Sequence, residues 1–301
     1  MPSIERIFSP RKKTDAGVHA WSDGHAVGII AAPRGEEGNS FPVWYSADGV
    51  TFAEGSLDYS GTKVDHLNEF DGGTLVPSGR IFKRRNRSVF EAELGGQVTF
   101  RPAFEFPDHQ SFEPRCILAH QDGTLWLGGH CRAQPDQGWL YARSNGEDWA
   151  RAADKLPGSV GGLAVHMDGV LALAWRSVVQ VSLKGSEELA KFKDVVTGVH
   201  LDERGLLAFG DTFTAFVAGG KRPRYGKLLG EEDRVMHNRT RVACAGGAFV
   251  MWARGALHCS HDGLGWSAVA GPSSLNLRSL VPSAAGVLAV SSDADVFVFV
   301  P

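Results

Sequence analysis

Cysteine is scarce in this chain, with only 4 among 301 residues. The cysteines form two pairs with a separation of 15 positions in each, and neither pair has the close C-x-x-C spacing of a zinc site. We therefore expect buried free thiols that pack as small apolar groups. The histidines share no metal-ligand spacing either, so we expect no metal and no cofactor. The cysteines are Cys116, Cys131, Cys244 and Cys259.

Long apolar runs are also missing. No window approaches the roughly 18 apolar residues of a membrane span, and residues 1–13 lack the apolar stretch of a signal peptide. The net charge of −3 gives no overall bias toward nucleic acid or an anionic membrane. We expect a cytoplasmic protein that has no membrane partner.

Positive charge is concentrated in two short runs, residues 83–87 and residues 221–225. The second run includes Tyr225, an aromatic residue suited to stacking on a base. Acidic neighbours such as Glu231 and Glu232 favour solvated loops at these places. We therefore do not expect nucleic acid as the partner, although a nucleic-acid binder is kept as a third hypothesis.

Glycine is abundant, at 37 residues, and much of it lies in a repeat of turns. Seven times a short apolar run meets a small-residue turn and continues into a second apolar run, and the turns are 36 to 51 positions apart. Such a period is typical of a β-propeller, because one hairpin unit cannot bury its own faces and must stack on its neighbours. We predict an all-β, seven-bladed β-propeller of mostly four-stranded antiparallel blades, in one domain covering residues 1–301. The turns are Asp23-Gly24, Asp71-Gly72, Asp122-Gly123, Asp168-Gly169, Arg204-Gly205, Gly246-Gly247 and Ala285-Gly286.

The two chain ends are predicted to lie together. Residues 4–9 form an apolar strand that belongs to no later repeat, and the seventh repeat ends without an outer strand. Pairing of this N-terminal strand beside the C-terminal strand at 296–300 would close the ring and remove an exposed strand edge. The second repeat is the least regular, and we expect it to form the weakest blade.

Three segments share a turn pattern in which an Asx residue and a glycine are followed by an aromatic residue. They are residues 46–52, 143–149 and 260–266. The pattern resembles the Asp-box, or bacterial neuraminidase repeat, in which the Asx side chain caps its own turn and glycine takes the left-handed conformation. All three segments are one residue shorter than the usual Asp-box. The resemblance implies a propeller fold and places these turns on the face opposite an active site, which gives Asp48, Asn145 and Asp262 a structural role.

The strand assignment also sorts the loops by face. In a propeller, the loops that join the second strand of each blade to the third emerge on one face, around the mouth of the channel. In this chain those loops are rich in arginine, tryptophan and aspartate. The residues are Arg34, Arg80, Arg132, Asp136, Trp175, Arg176, Asp211, Trp252, Arg254 and Asp293. Arginine and tryptophan dominate protein-binding hot spots, so we predict a rim that binds a protein with an acidic surface. The alternative is that the tryptophans pack between blades and the arginines pair with the aspartates.

No segment supplies a complete catalytic motif, so we predict no catalytic residue and favour a non-enzymatic scaffold that binds another protein. One form of this hypothesis, based on fold-level analogy, is a dedicated inhibitor or immunity protein of that partner. The alternative is a sugar-binding or glycoside-hydrolysing, sialidase-like propeller, suggested by the Asp-box resemblance. A sialidase would be expected to carry an early Phe-Arg-Ile-Pro type motif, which this sequence lacks.

Overall fold

The computed structural model describes most of the chain and contains β-strands without helices in the residues described. Those residues are 3–10, 17–22, 25–32, 40–58, 74–75, 80–85, 88–93, 97–99, 101–105, 111–120, 122–144, 147–219, 221–227, 242–253, 255–269 and 276–300. Within them, no helix is long and apolar enough to cross a membrane.

The described strands form seven sheets, and the strands of each sheet come mostly from one stretch of the chain. The first sheet contains β2 (Gly17–Ser22), β3 (Val27–Ala32), β4 (Ser40–Ser46), β5 (Ala53–Asp58) and β9 (Gln97–Thr99). The second contains β6 (Thr74–Leu75), β7 (Arg80–Arg85), β8 (Ser88–Glu93) and β10 (Arg101–Glu105). The third contains β11 (Phe112–Ala119), β12 (Leu125–Cys131), β13 (Gln134–Arg143) and β14 (Ala150–Pro157).

The remaining four sheets follow the same order. The fourth contains β15 (Val160–His166), β16 (Gly169–Ala174), β17 (Ser177–Ser182) and β18 (Gly185–Lys191). The fifth contains β19 (Gly198–Asp202), β20 (Gly205–Gly210), β21 (Phe213–Val217) and β22 (Arg224–Tyr225). The sixth contains β23 (Val242–Ala245), β24 (Ala248–Ala253), β25 (Ala256–Ser260) and β26 (Ser267–Ala268). The seventh contains β27 (Leu277–Ser283), β28 (Gly286–Ser291), β29 (Val296–Val300) and β1 (Ser3–Phe8).

Burial explains why these runs form stacked sheets. Strand β16 is apolar at five of its six positions and is buried along its whole length, whereas the outer strand β18 is polar and mostly exposed. A strand buried on both faces reads as a continuous apolar run, because each face packs on a neighbouring sheet. Shared apolar clusters join the third sheet to the fourth, the fourth to the fifth, the sixth to the seventh and the seventh to the first. This stacking of antiparallel four-stranded sheets is the architecture of a β-propeller.

The chain ends meet in the seventh sheet. Strand β1 pairs antiparallel with β29, in a register that places Ser3 opposite Val300 and Phe8 opposite Val296. The seventh sheet therefore obtains its outer strand from the opposite end of the chain, and its outer edge is covered by β1.

The second sheet differs from the sequence prediction. Its first strand is β6, which contacts the first strands of the neighbouring sheets, β2 and β11. The strand that follows β6 in the chain is β7, so β7 is the second strand of this sheet, and the predicted turn at Asp71-Gly72 lies outside the described residues. The assignment of Arg80 to a loop between second and third strands was wrong, because Arg80 begins β7.

Candidate functional site

The strand order divides the loops between two edges of the molecule. We call the edge with the second-to-third strand connections the upper edge; its described connections include residues 132–133, 175–176, 211–212 and 292–295. The connections that follow the outer strands, such as residues 158–159 and 192–197, lie at the same edge, because successive antiparallel strands alternate in direction. The lower edge carries the first-to-second and third-to-fourth connections.

Trp175 is the most distinctive residue of the upper edge. It is 52% exposed, and its φ of 56° lies in the left-handed region that residues other than glycine rarely adopt. Its backbone N–H donates to the Ser159 carbonyl at 3.2 Å, and its carbonyl accepts from the Val196 N–H at 2.8 Å. Two neighbouring loops therefore fix the backbone of this turn while the indole projects into solvent.

Val195 adds a second apolar group beside this turn and is 40% exposed. Its N–H donates to Asp194 Oδ1 at 2.8 Å, and Asp194 Oδ2 accepts from the Thr212 hydroxyl at 3.1 Å. The Asp194 carboxylate thus joins the loop that carries Val195 to the upper edge of the fifth sheet. Trp175 and Val195, which we call the apolar anchor, are held by hydrogen bonds that cross from one sheet to the next.

Two of the predicted arginines lie at the upper edge in different environments. The guanidinium of Arg176 lies 4.8 Å from the Trp175 ring centroid, within cation–π range, so it covers part of the indole. Arg132 Nη2 lies 2.5 Å from a Glu113 carboxylate oxygen, and Arg132 Nε donates to the Phe112 carbonyl at 3.3 Å. The charge of Arg132 is therefore largely compensated within its own sheet.

The acidic residues predicted for the rim do lie at the upper edge. Asp136 is exposed near the start of β13, Asp211 follows β20, and Asp293 follows β28. The backbone N–H of Asp293 donates to the Ser291 hydroxyl at 3.2 Å. The upper edge thus combines both signs of charge around the apolar anchor.

Of the other predicted rim residues, Trp252 and Arg80 lie within strands, and two lie outside the described residues. Trp252 lies near the end of β24, is partly buried and packs against the apolar cluster shared by the sixth and seventh sheets, which agrees with the alternative that the tryptophans pack between blades. Arg80 lies at the lower-edge end of β7, away from the other arginines. Arg34 and Arg254 lie outside the described residues.

Two of the three turns that resemble an Asp-box are described, and they lie at the lower edge, between third and fourth strands; Asn145 of the remaining one lies outside the described residues. Asp48 Oδ1 accepts from the N–H groups of Thr51 at 2.7 Å and Val50 at 2.8 Å, and from the Ser46 hydroxyl at 2.9 Å. These donors, led by the Thr51 N–H, hold the pKa of the Asp48 carboxyl well below its usual 3.8. The Asp48 carboxylate therefore stabilises its own turn through hydrogen bonds.

The second of these turns is built in the same way. Asp262 Oδ1 accepts from the N–H groups of Gly265 and Leu264, both at 2.8 Å, and these bonds lower the pKa of its carboxyl. Gly263 has a φ of 71° and lies so close to Leu207 of the fifth sheet that a Cβ would come within 2.3 Å of Leu207 Cδ1. Trp266 donates its indole N–H to the Gly263 carbonyl at 3.2 Å. This turn therefore packs the sixth sheet against the fifth.

Two tyrosine hydroxyls of the described residues are engaged in hydrogen bonds. The Tyr141 hydroxyl accepts from Arg151 Nη2 at 3.0 Å, and the Tyr225 hydroxyl accepts from the Lys193 N–H at 2.9 Å. No group of three or more metal-ligating side chains converges within the part of the chain that the structure describes.

Val195 and Asp194 were missed by sequence reasoning. Both lie in a connection between consecutive sheets, whereas the prediction considered the second-to-third strand loops. Val195 and Val196 form an apolar pair that directly follows Lys193 and Asp194, which is a visible signal. The sequence alone does not show that Val195 is exposed and Val196 is buried; the fold shows it.

No family model matches the chain, and no curated protein matches it significantly. Solved structures do match. A catalytically inactive virginiamycin B lyase from Staphylococcus aureus, in a structure with quinupristin, gives a TM-score of 0.67 at 10% identity over 100% of both chains. YCF48 from Cyanidioschyzon merolae gives a TM-score of 0.59 at 12% identity over 98% of both chains. The N-terminal domain of Nup159 gives 0.57 at 10% identity over 100% of this chain and 96% of that domain. At these identities the likeness supports the β-propeller fold and carries no function.

Proposed function

We propose that the protein is a non-enzymatic scaffold that binds another protein through its upper edge, with the apolar anchor at the centre of the contact. The observation that carries this proposal is Trp175, a half-exposed indole on a left-handed backbone. A non-glycine residue in this conformation costs on the order of 1–3 kcal/mol, and such residues cluster at ligand-binding sites.

The composition of the upper edge suits a protein partner. Tryptophan and arginine are enriched at the desolvated centres of interfaces, where the ring supplies area and the guanidinium supplies directed hydrogen bonds. Trp175 provides the ring, and Arg176 lies over it. Asp211 and Asp136 supply a polar rim, so the partner's surface should carry carboxylates opposite Arg176 and cations opposite the aspartates.

The mode of action that we propose is obstruction of the partner, as by a dedicated inhibitor or immunity protein. A rigid platform suits such a role, because little conformational entropy is lost when preorganised loops bind. The Trp175 turn is preorganised by its hydrogen bonds to Ser159 and Val196. We propose that this binding takes place in the cytoplasm.

We also propose that the seven sheets form one closed, seven-bladed ring in a single domain covering residues 1–301. The pairing of β1 with β29 supports closure. A second support is the docking of the Asp-box turns. The turn of the sixth sheet packs on the fifth through Gly263 and Leu207, and the turn of the first sheet packs on the seventh through Gly49 and Ser283. The first sheet is therefore packed beside the seventh in the same way as the sixth is packed beside the fifth.

The test removes the indole while preserving the turn. Trp175→Gly keeps the left-handed conformation accessible and deletes the ring. The matched control is Met167→Ala, which removes an 89% exposed apolar side chain from the lower edge of the same sheet. Each tagged protein is incubated with extract of the native cell, and the captured proteins are quantified by mass spectrometry.

We expect Trp175→Gly to lose at least about tenfold of a specific captured protein, about 1.4 kcal/mol of binding, while Met167→Ala retains it. Both variants should melt within a few degrees of the wild type. Equal capture by Trp175→Gly would exclude the apolar anchor as the binding site. Turnover of a fluorogenic sialoside by the wild-type protein would contradict the non-enzymatic role.

A further inference from the structure

A groove on the flank of the molecule joins the outer part of the fifth sheet to the third-to-fourth strand turn of the sixth. Its volume is about 530 Å³, within the range of about 300–1,000 Å³ that binding pockets occupy. Neither residue of the apolar anchor, which is at the upper edge between the fourth and fifth sheets, lines this groove. The groove is lined by Arg224, Tyr225, Lys227, Leu264, Gly265 and Trp266.

The wall formed by the fifth sheet is strongly basic. Lys221, Arg222, Arg224 and Lys227 fall within seven residues and are all exposed, and Arg224 and Lys227 line the groove itself. Within the described residues, none of the four forms an ion pair, and no carboxylate lines the groove. Since the whole chain has a net charge of −3, this cluster is a local positive site on an otherwise acidic molecule.

The opposite wall is apolar and fixed in shape. Leu264 and Trp266 belong to the turn that Asp262 caps, and the Trp266 indole N–H is held by the Gly263 carbonyl. The two walls approach closely at Gly226, where a Cβ would lie 2.3 Å from Thr214 Oγ1 and 3.2 Å from the Leu264 carbonyl oxygen. The groove is therefore present in the folded protein before any ligand binds.

Tyr225 also lines the groove, but its ring is already engaged on the side of the fourth sheet. Its ring packs edge-on against Phe213 at 5.8 Å, and Lys193 Nζ lies 5.0 Å from its centroid. Phe213 belongs to the cluster shared with the fourth sheet, and successive side chains of a strand point to opposite faces. Arg224 therefore faces the sixth sheet, and Trp266 is the aromatic ring available to a ligand in the groove.

We propose that this groove binds a short acidic peptide segment of a partner, in which an apolar residue lies beside carboxylates. The carboxylates pair with Arg224 and Lys227, and the apolar side chain packs on Leu264 and Trp266. A single-stranded nucleic acid fits less well, because successive bases need successive stacking rings, and one of the two aromatic residues that line the groove, Tyr225, is already engaged by Phe213 and Lys193. The negative charge of the remaining surface also favours a short anion over a long one.

The proposal does not depend on the apolar anchor, and it can be tested on the isolated full-length protein. The probe is a fluorescein-labelled heptapeptide of glutamates interrupted by two leucines. Two further probes are compared with it: the same peptide with lysine in place of glutamate, and a labelled oligothymidylate of similar length. Binding is followed by fluorescence anisotropy at about 0.05 M and about 0.5 M salt, because screening weakens exposed charge pairs.

Two pairs of variants make the test specific. Arg224→Gln with Lys227→Gln removes both cations from the groove, and Lys184→Gln with Lys191→Gln removes the same charge from exposed positions of the fourth sheet. At Gly265 the nearest atom to an added Cβ is Asp262 Oδ1 at 3.8 Å, so a side chain fits there. Gly265→Glu places a carboxylate in the groove, and Gly265→Gln supplies the same bulk without charge.

We expect the glutamate peptide to bind at least about tenfold more tightly than the lysine peptide, and high salt to weaken its binding. The groove double variant and Gly265→Glu should each raise the Kd at least about fivefold relative to their matched controls. The proposal is wrong if the glutamate peptide binds no better than the lysine peptide, or if the two double variants bind it equally. Tighter binding of the oligothymidylate than of the glutamate peptide would assign the groove to nucleic acid instead.

Discussion

At the scale of single residues, the carboxylates of Asp48 and Asp262, in the turns that resemble an Asp-box, combine a structural role with sensitivity to pH. Asp48 and Asp262 each accept two backbone N–H groups and one serine hydroxyl, so the folded state favours their ionised forms. Their pKa values are lowered from the usual 3.8. A carboxyl with a lowered pKa in the folded protein stabilises the fold above its usual pKa and loses that contribution as the pH falls toward the folded value.

The corresponding prediction concerns Asp48→Asn combined with Asp262→Asn. The amide keeps an oxygen acceptor for the turn but loses the charge, so at pH 7 we expect the melting temperature to fall by about 2–4 °C. Between about pH 5 and pH 3 the wild type should lose stability faster than the double variant. Calorimetric melting curves at several pH values measure both effects, and a constant difference at all pH values would contradict the role of the charge.

At the scale of elements, the pairing of β1 with β29 has the largest consequence. Without β1, the apolar strand Val296–Val300 would present an unpaired edge, and such an edge is a template for association with other chains. Ile4 also packs against the apolar cluster of the sixth and seventh sheets, and Phe8 packs against that of the seventh and first. Strand β1 therefore supplies both backbone pairing and apolar contact.

We predict that deletion of residues 1–9 lowers the melting temperature by at least about 5 °C and causes concentration-dependent aggregation. The control is Glu5→Ala with Arg6→Ala, because both side chains are exposed and the backbone pairing is kept. Differential scanning calorimetry and light scattering distinguish the two proteins. If the truncated protein remains monomeric with an unchanged melting temperature, β1 is dispensable.

The sequence was sufficient to predict strands where apolar residues run continuously between glycine turns. The fourth sheet is the clearest case, since the predicted turn at Asp168-Gly169 lies where β15 ends and β16 begins. The second repeat was harder, because the charged run within Arg80–Arg85 resembles a loop and in fact forms β7, paired with β8. Strand β9 was also missed, since its parallel pairing with β5 joins segments about 40 positions apart and has no local signal.

Part of the site could also be predicted from the sequence. The order of the strands determines at which edge each loop lies, so Trp175, Arg176 and Arg132 were placed at the edge where the structure has them. Whether a tryptophan at a strand end is exposed depends on register, because one position changes the face on which it lies. Trp252 stays within β24 and packs inside, whereas Trp175 passes beyond β16 into the turn. Its left-handed φ depends on hydrogen bonds from two other loops, which no local pattern reports.

At the scale of the whole molecule, contacts between sheets couple distant parts of the chain. Arg204 Nη1 donates to the His261 carbonyl at 2.7 Å, joining the fifth sheet to the sixth. The Ala284 N–H donates to the His25 carbonyl at 3.2 Å, joining the seventh sheet to the first. His25 and Ala284 lie near opposite ends of the sequence. The hydrogen bond between them therefore closes a loop that contains most of the chain. Such non-local contacts slow folding, because the entropy of closing a long loop is lost before the contacts form.

A cross-link between the chain ends tests this closure directly. Glu5 and Val298 are directly opposite each other in β1 and β29, and directly opposite residues of an antiparallel pair have the Cα separation that a disulfide needs. We predict that Glu5→Cys with Val298→Cys raises the melting temperature by at least about 5 °C when oxidised, since closing so long a loop stabilises by up to about 5 kcal/mol in the chain-entropy estimate. Reduction should abolish the gain, and Glu5→Cys alone should show none. If the oxidised and reduced forms melt together although mass spectrometry shows the cross-link, the chain ends do not limit the stability of the ring.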